Sequence, residues 1–188
     1  VYKSLKEKRG IVTGNLTTPY VINFLSLAEG SIKVKVPKGA MAGMFLDLWQ
    51  RPVSDIGQTG PDKGEGATYI IVGPEDDKSK YEGKADYIFQ SETNNIFIGV
   101  RLLDPSPEFE ARIEKEMQVA RVDEEFKPIR FIKGVDKEWS GTAPRGLEFW
   151  ELLSELYQEE PTRNQDKVLA AMLEPLGIAK GIKFNPTD

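Results

Sequence analysis

Hydrophobic and polar residues alternate along the first hundred residues of the chain with a period of about two. In the segment IKVKV, Ile32, Val34 and Val36 share one face and two lysines take the other, as in a strand with one buried and one solvated side. Similar apolar and β-branched runs are separated by turns rich in Gly, Pro and Asn. Together they predict strands over residues 20–27, 31–36, 41–49, 67–72, 86–90 and 95–102.

The period lengthens to that of an α-helix after Asp104. Ser106 is a suitable N-cap, Pro107 fits the first helical position, and glutamates follow in the first turn. These signals predict a helix that runs to about Met117. A short strand is predicted after it, over residues 129–132.

Two further helices are predicted near the C-terminal end. Over residues 147–159 the apolar side chains share one stripe and four glutamates lie on the other face, and Pro161 ends the helix. Thr162 and Gln165 have the spacing of a capping box, which predicts a second amphipathic helix ending at Gly177. The two helices are expected to form a hairpin packed on the sheet.

The complete pattern indicates an α+β fold that is mainly β, with a β-sandwich-like strand region followed by a helical hairpin. We assign the β-rich domain to residues 1–104, the helix and short strand that complete it to 105–135, and a helical segment to 136–188.

Composition removes several classes of function. The 188 residues include no His and no Cys, which excludes Cys/His zinc sites, Ser-His-Asp and Cys-His catalysis, and disulfides within the chain. The net charge of −5, with the basic residues scattered, argues against binding to nucleic acid. No run reaches the roughly 18–20 apolar residues of a membrane span. No cofactor or metal site is predicted.

The glycine-rich stretch DIGQTGPDKGEGATYIIV resembles a phosphate-binding loop in composition only. Its order is loop and then strand, whereas a phosphate loop follows a strand and opens a helix. Asp62 and Glu65 would also repel a phosphate. Residues 57–66 are therefore predicted to connect two strands and to bind no nucleotide. Asp76 and Asp77 are predicted to lie in a solvated turn rather than a calcium site.

Several stretches in a fixed order resemble a known family. They are TGNLTTPY at 13–20, GSIKVKVP at 30–37, MFLDLWQRPVSDIGQTGPDKGEGATYIIVGP at 44–74 and NNIFIGVRLLD at 94–104. They resemble the domain of unknown function 1254 family (DUF1254), and the helical end is similar to the segment that leads into a companion domain, DUF1214. The resemblance implies a β-rich fold, a missing jelly-roll-like C-terminal half and an exported bacterial protein, with no established activity.

The resemblance supplies six candidate binding residues, of which three lie just before the first strand or at its first residue. Asn15, Thr18 and Tyr20 could hydrogen-bond a sugar or a carboxylate, or could only satisfy the local backbone and packing, which is the reading we favour. Thr17 departs from the family pattern, which usually has Asp there. The absence of that Asp weakens any assignment of a catalytic acid or metal ligand to this motif.

The other three candidates are Asp47, Trp49 and Arg101. Asp47 and Trp49 are two residues apart, so on one strand both would face the same way as Phe45. They form either a platform for a polar ligand or a core region in which Asp47 pairs with Arg101. We favour the pair, because a half-buried carboxylate needs a partner.

Two functions from different classes follow from these observations. The first is a β-rich module of an exported, periplasmic or secreted protein that binds a polar ligand such as a glycan, or a protein partner. The second is an enzyme acting on a glycan or another polar substrate, with a site shared with the missing half. The start at Val1 suggests a piece of a longer protein. We expect an exposed apolar patch near the C-terminal helices, covered by a second copy of the chain or by the missing domain.

Overall fold

The computed structural model describes residues 17–127, 130–132 and 142–186, and the chain divides into two compact units between residues 141 and 142. Among the described residues, the first unit contains β1 (Tyr20–Ser26), β2 (Ile32–Val36), β3 (Met41–Asp47), β4 (Pro52–Gly57), β5 (Ala67–Val72), β6 (Tyr87–Gln90), β7 (Asn95–Leu102), α1 (Pro107–Glu116) and β8 (Gln118–Arg121). The second contains α2 (Leu147–Glu159) and α3 (Lys167–Ala171).

The strands of the first unit form two four-stranded sheets. The first sheet has the order β1-β7-β3-β4, and all of its pairs are antiparallel. The second sheet has the order β6-β5-β2-β8, in which only the β5–β6 pair is parallel. The predicted mainly β fold with a C-terminal helical segment is confirmed.

The two sheets share one apolar core. Alternate residues of β3 and β7, such as Phe45 and Val100, are fully buried and belong to the same cluster as Tyr69 of the second sheet. The rings of Phe45 and Tyr69 lie 5.7 Å apart between centroids. Helix α1, capped by the Ser106 side chain as predicted, adds Ile113 to this cluster. The first unit is therefore a β-sandwich with a helix that extends its core.

Two strands differ from the sequence-based expectation. Strand β4 was not predicted, because its sequence PVSDIG lacks a clear alternation. The short strand expected at 129–132 is wrong: residues 130–132 lie outside any strand, and Ile129 lies outside the described residues. The chain instead enters β8 directly after α1, and Val119 pairs with Val34 of β2.

The second unit is helical, but its second helix is shorter than predicted. Helix α2 has the predicted bounds, whereas α3 is followed by a 3₁₀ turn at Glu174–Leu176. Pro175 lacks the backbone N–H that a continuing helix needs. The predicted capping box does not form: Asp166 precedes α3, which has no side-chain cap, and the Thr162 hydroxyl lies 3.4 Å from the Tyr157 hydroxyl. In the described part of the chain, no helix has the length and apolar character of a membrane span.

Candidate functional site

Three of the six candidate residues meet at one end of the outer face of the first sheet. Tyr20 and Arg101 are direct cross-strand partners, so their side chains leave the same face. The Arg101 Nε donates a hydrogen bond to the Thr18 hydroxyl over 2.8 Å. Asn15 lies outside the described residues. A role for this cluster in binding a polar ligand stays a prediction.

The predicted pairing of Asp47 with Arg101 is wrong. The register of β3 and β7 sets Asp47 opposite Ile96 and Arg101 opposite Ala42, near the other end of β3. Because side chains alternate along a strand, Asp47 shares the inner side with Phe45 while Arg101 lies on the outer side. The two charged groups are separated both along the sheet and across it.

The partner of Asp47 is Arg51, in the turn that joins β3 to β4. The Asp47 carboxylate accepts hydrogen bonds from the Arg51 backbone N–H at 2.9 Å and from its Nε at 2.7 Å. The Arg51 guanidinium also reaches Glu92, with 3.2 Å between Nη1 and Oε2. The expectation that this buried carboxylate needs a cation was sound, but the cation comes from the adjacent turn. Asp47 therefore closes a hairpin.

Trp49 lies in the same turn and not on β3. Its side chain is 55% exposed, whereas Asp47 is 5% exposed. Gln50, the next residue, has a positive φ of 59°, so the chain reverses here. The predicted face shared by Asp47 and Trp49 is consequently wrong, because the strand ends at Asp47.

The glycine-rich stretch is an ordered connection between the two sheets. The Asp62 carboxylate accepts hydrogen bonds from the Gly57 N–H at 2.7 Å and from the Tyr69 hydroxyl at 2.6 Å. Gly57 belongs to the first sheet and Tyr69 to the second, so one buried side chain ties both sheets to the loop. Burial, together with the Asp62 hydrogen bond, raises the pKa of Tyr69 well above its usual value. The predicted strand-connecting loop is confirmed.

Asp76 is not simply solvated, contrary to the prediction for this turn. Its carboxylate accepts hydrogen bonds from Lys80 Nζ (2.8 Å), Tyr81 (2.5 Å) and Ser31 (2.8 Å). These three donors, Lys80 above all, hold the pKa of the carboxyl far below its usual range. Asp77 caps the 3₁₀ turn that follows. Among the described residues, no cluster of three or more acidic side chains could hold a metal ion.

The outer face of the first sheet carries apolar side chains that sequence reasoning did not single out. We call them the outer-face patch; its members are Ile22, Phe24, Met44, Leu46 and Phe97. Phe24 is 76% exposed, and its ring lies 5.3 Å from that of Phe97. The Phe97 ring covers Gly99, where an added Cβ would lie 2.5 Å from it. The available signal was that β1, with the sequence YVINFLS, carries apolar side chains at both alternating phases.

The second unit also exposes apolar side chains. Its C-terminal apolar surface consists of Val168, Leu169, Met172 and Leu176, which are 51–75% exposed. Within the unit, the Gln158 amide donates to the Ala179 carbonyl at 2.8 Å, and its carbonyl oxygen accepts from the Gly181 N–H. These polar contacts hold the end of the chain beside α2 but leave the apolar stripe predicted for this segment in solvent.

Comparisons with known proteins give a family and a fold. The sequence model of a family described as "Protein of unknown function (DUF1254)" matches residues 2–124. No curated protein matches the sequence. The crystal structure of the VPA0106 protein from Vibrio parahaemolyticus is similar, with 13% identity and a TM-score of 0.63. The similarity covers 94% of this chain and 44% of that chain, so this chain spans less than half the length of the Vibrio protein.

Proposed function

The chain belongs to the DUF1254 family of proteins of unknown function, and from this premise we propose that it is a docking module of a longer exported protein. Its C-terminal unit binds a second polypeptide domain of the same protein, the DUF1214-type half that the resemblance implies. The observation that carries the proposal is the C-terminal apolar surface.

The exposure of this surface is unusual for the side chains involved. Val168, Leu169 and Met172 are 75%, 65% and 66% exposed. Transfer of such a side chain from water into a packed interface stabilises a complex by roughly 1.5–3 kcal/mol if burial becomes complete. Single exposed apolar residues are common, but four of them on one segment of nine residues favour an interaction site. The apolar character of this surface therefore favours a partner with an apolar face over a polar ligand.

The Vibrio protein supports a partner that is part of the same polypeptide. A match over 94% of 188 residues spans about 177 residues, and if these are 44% of the other chain, that chain has roughly 400. Only about 11 residues of this chain fall outside the match, so most of 142–188 is included. A fold of this kind, with its C-terminal segment, thus occurs beside a further region of comparable size.

A docking role also agrees with the structural roles of the buried and half-buried polar residues in the sandwich. Asp47 and Arg51 close a hairpin, Asp62 joins the sheets, and Asp76 holds the turn before β6 to Ser31. Each of these side chains stabilises the sandwich itself. Export is implied by the family resemblance, and fractionation of cells that make the natural protein would test it.

Methionine oxidation by dilute peroxide tests the docking proposal. The chain has four methionines, of which Met172 and Met44 are exposed and Met41 and Met117 are buried. In the 188-residue chain alone, Met172 should oxidise fast and the two buried residues slowly. In the natural protein encoded by the complete gene, we expect Met172 to oxidise at least about tenfold more slowly, because the second domain covers it.

The buried methionines serve as the internal control in both samples. Their oxidation rates should not change, which would show that the sandwich is equally folded. Equal oxidation of Met172 in both samples, or a natural protein that carries no second domain, would overturn the proposal.

A further inference from the structure

The outer face of the first sheet has a second property besides its apolar patch: it carries two opposite charges. Residues that are paired across neighbouring strands form rows on this face. Arg101 of β7 lies in one row, beside Tyr20 and Ala42. Asp55 of β4 lies in the next row, directly paired with Met44. Because paired residues direct their side chains to the same side, Asp55 and Arg101 share the outer face with the patch.

Neither charge is neutralised by an opposite charge within the described residues. The Arg101 guanidinium donates a hydrogen bond to the neutral hydroxyl of Thr18. The exposed Asp55 carboxylate makes no hydrogen bond or ion pair with any residue that the structure describes. In the sheet order β7-β3-β4 the two residues are two strands apart and one row apart. Strand spacing of about 4.8 Å and a row spacing of about 6.7 Å place them roughly 12 Å apart, beyond ion-pair distance.

We propose that a second copy of the chain packs on this face, outer sheet against outer sheet. A two-fold axis in the plane of the interface, passing near Met44 and Gly99, brings Arg101 of each copy opposite Asp55 of the other. In such an isologous interface every contact forms twice, so one dimer contains two of these ion pairs. The outer-face patch lies along the axis and forms the apolar centre.

The charge pattern favours a second copy over an unrelated partner. One positive and one negative group flank an apolar centre, so the face is complementary to its own two-fold image. Sheets also pack well on each other, with faces about 10 Å apart, as the two inner faces already do in the sandwich. Phe24 is the most exposed residue of the patch and would be its largest contributor of buried area.

Sedimentation of charge-swapped variants tests the dimer. The chain itself should sediment as a dimer at concentrations of tens of micromolar. Asp55→Arg and Arg101→Asp each place two like-charge pairs in the interface, and each should raise the dissociation constant at least about tenfold. The double variant restores both pairs in reversed polarity and should return the constant to within about threefold of the original. A monomeric starting chain, or a double variant no better than the singles, would overturn the proposal.

Met44→Glu provides an independent variant, since it places a charge in the patch without touching Arg101 or its bond to Thr18. It should give monomers, with far-UV dichroism unchanged. Met44 oxidation separates this interface from the docking surface: it should slow as the chain concentration rises, while that of Met172 should not change. A concentration-independent rate at Met44 would also contradict the dimer.

Discussion

The β-sandwich and the C-terminal unit use their apolar residues in opposite ways. In the sandwich, Phe45, Tyr69 and Leu102 are completely buried between two sheets. In the described part of the C-terminal unit, only Ser154, Glu160 and Ile178 are buried, and the side chains of the C-terminal apolar surface are 51–75% exposed. The sandwich therefore encloses a core of its own, whereas the C-terminal unit leaves an apolar surface in solvent, which the docking proposal assigns to another polypeptide.

The largest effect should come from the same truncation made in the two regions. Leu102→Ala removes a fully buried side chain and should lower the free energy of unfolding by about 2–5 kcal/mol, because it leaves a cavity. Leu169→Ala removes a side chain that is 65% exposed and should change the free energy of unfolding by less than about 0.5 kcal/mol. Urea unfolding of the 188-residue chain measures both. Similar losses would contradict the comparison.

Removal of the Asp62 carboxylate should have the next largest effect. Asp62→Ala leaves the Gly57 N–H and the Tyr69 hydroxyl without their acceptor, at a cost of about 2–3 kcal/mol. Glu65→Ala is the matched control in the same loop, since its ion pair with Lys38 is exposed on both sides and is worth about 0–1 kcal/mol. Equal stability of the two variants would show that Asp62 does not join the sheets.

Two glycines with similar backbone angles sharpen the comparison further. Gly66 has φ +82°, and an added Cβ would lie 2.6 Å from the Lys38 backbone nitrogen; Gly177 has φ +79° with open space around it. Gly66→Ala should therefore cost about 2 kcal/mol, and Gly177→Ala about 1 kcal/mol from backbone strain alone. Thermal unfolding of each variant would rank them, and a larger loss at Gly177 would contradict the account.

The smallest expected effect is a pH dependence at Asp76. Because the folded state lowers the pKa of this carboxyl, its contribution is present above the ordinary value of about 4 and is lost as the pH falls through the folded value. Asp76→Asn should thus lower the urea midpoint at pH 6, and the difference should shrink toward pH 2.5. Glu75 is an exposed neighbour, and Glu75→Gln should leave the urea midpoint unchanged at both pH 6 and pH 2.5. A constant difference across this range would contradict the assignment.

Local patterns predicted much of this fold because they depend on neighbours in sequence. Alternation located β5 and β7 with their observed bounds, and the 3.6-residue period did the same for α2. Strand β4 escaped because PVSDIG has no regular alternation, and its place at the sheet edge follows from pairing with β3. The broken second helix shows that a periodic stripe does not ensure a continuous helix when Pro175 interrupts it.

The candidate sites were harder to predict, because they depend on register. Asp47 and Arg101 lie on adjacent strands, and only the pairing of Asp47 with Ile96 reveals that they face opposite sides. The true pair with Arg51 lies within one turn and carries an i,i+4 signal in DLWQR. The sequence of β1 signals an apolar outer side, but only the register shows that Met44 and Phe97 share that face.

Hydrogen exchange read by mass spectrometry tests most directly whether the sandwich is self-sufficient and the C-terminal unit is not. In the 188-residue chain, amides of α2 and α3 should exchange at least about 100-fold faster than those of β3 and β7, since they open without unfolding the core. In the natural protein with its second domain, the helical amides should become protected while the strands stay unchanged. Equal protection of helices and strands in the 188-residue chain alone would contradict the account.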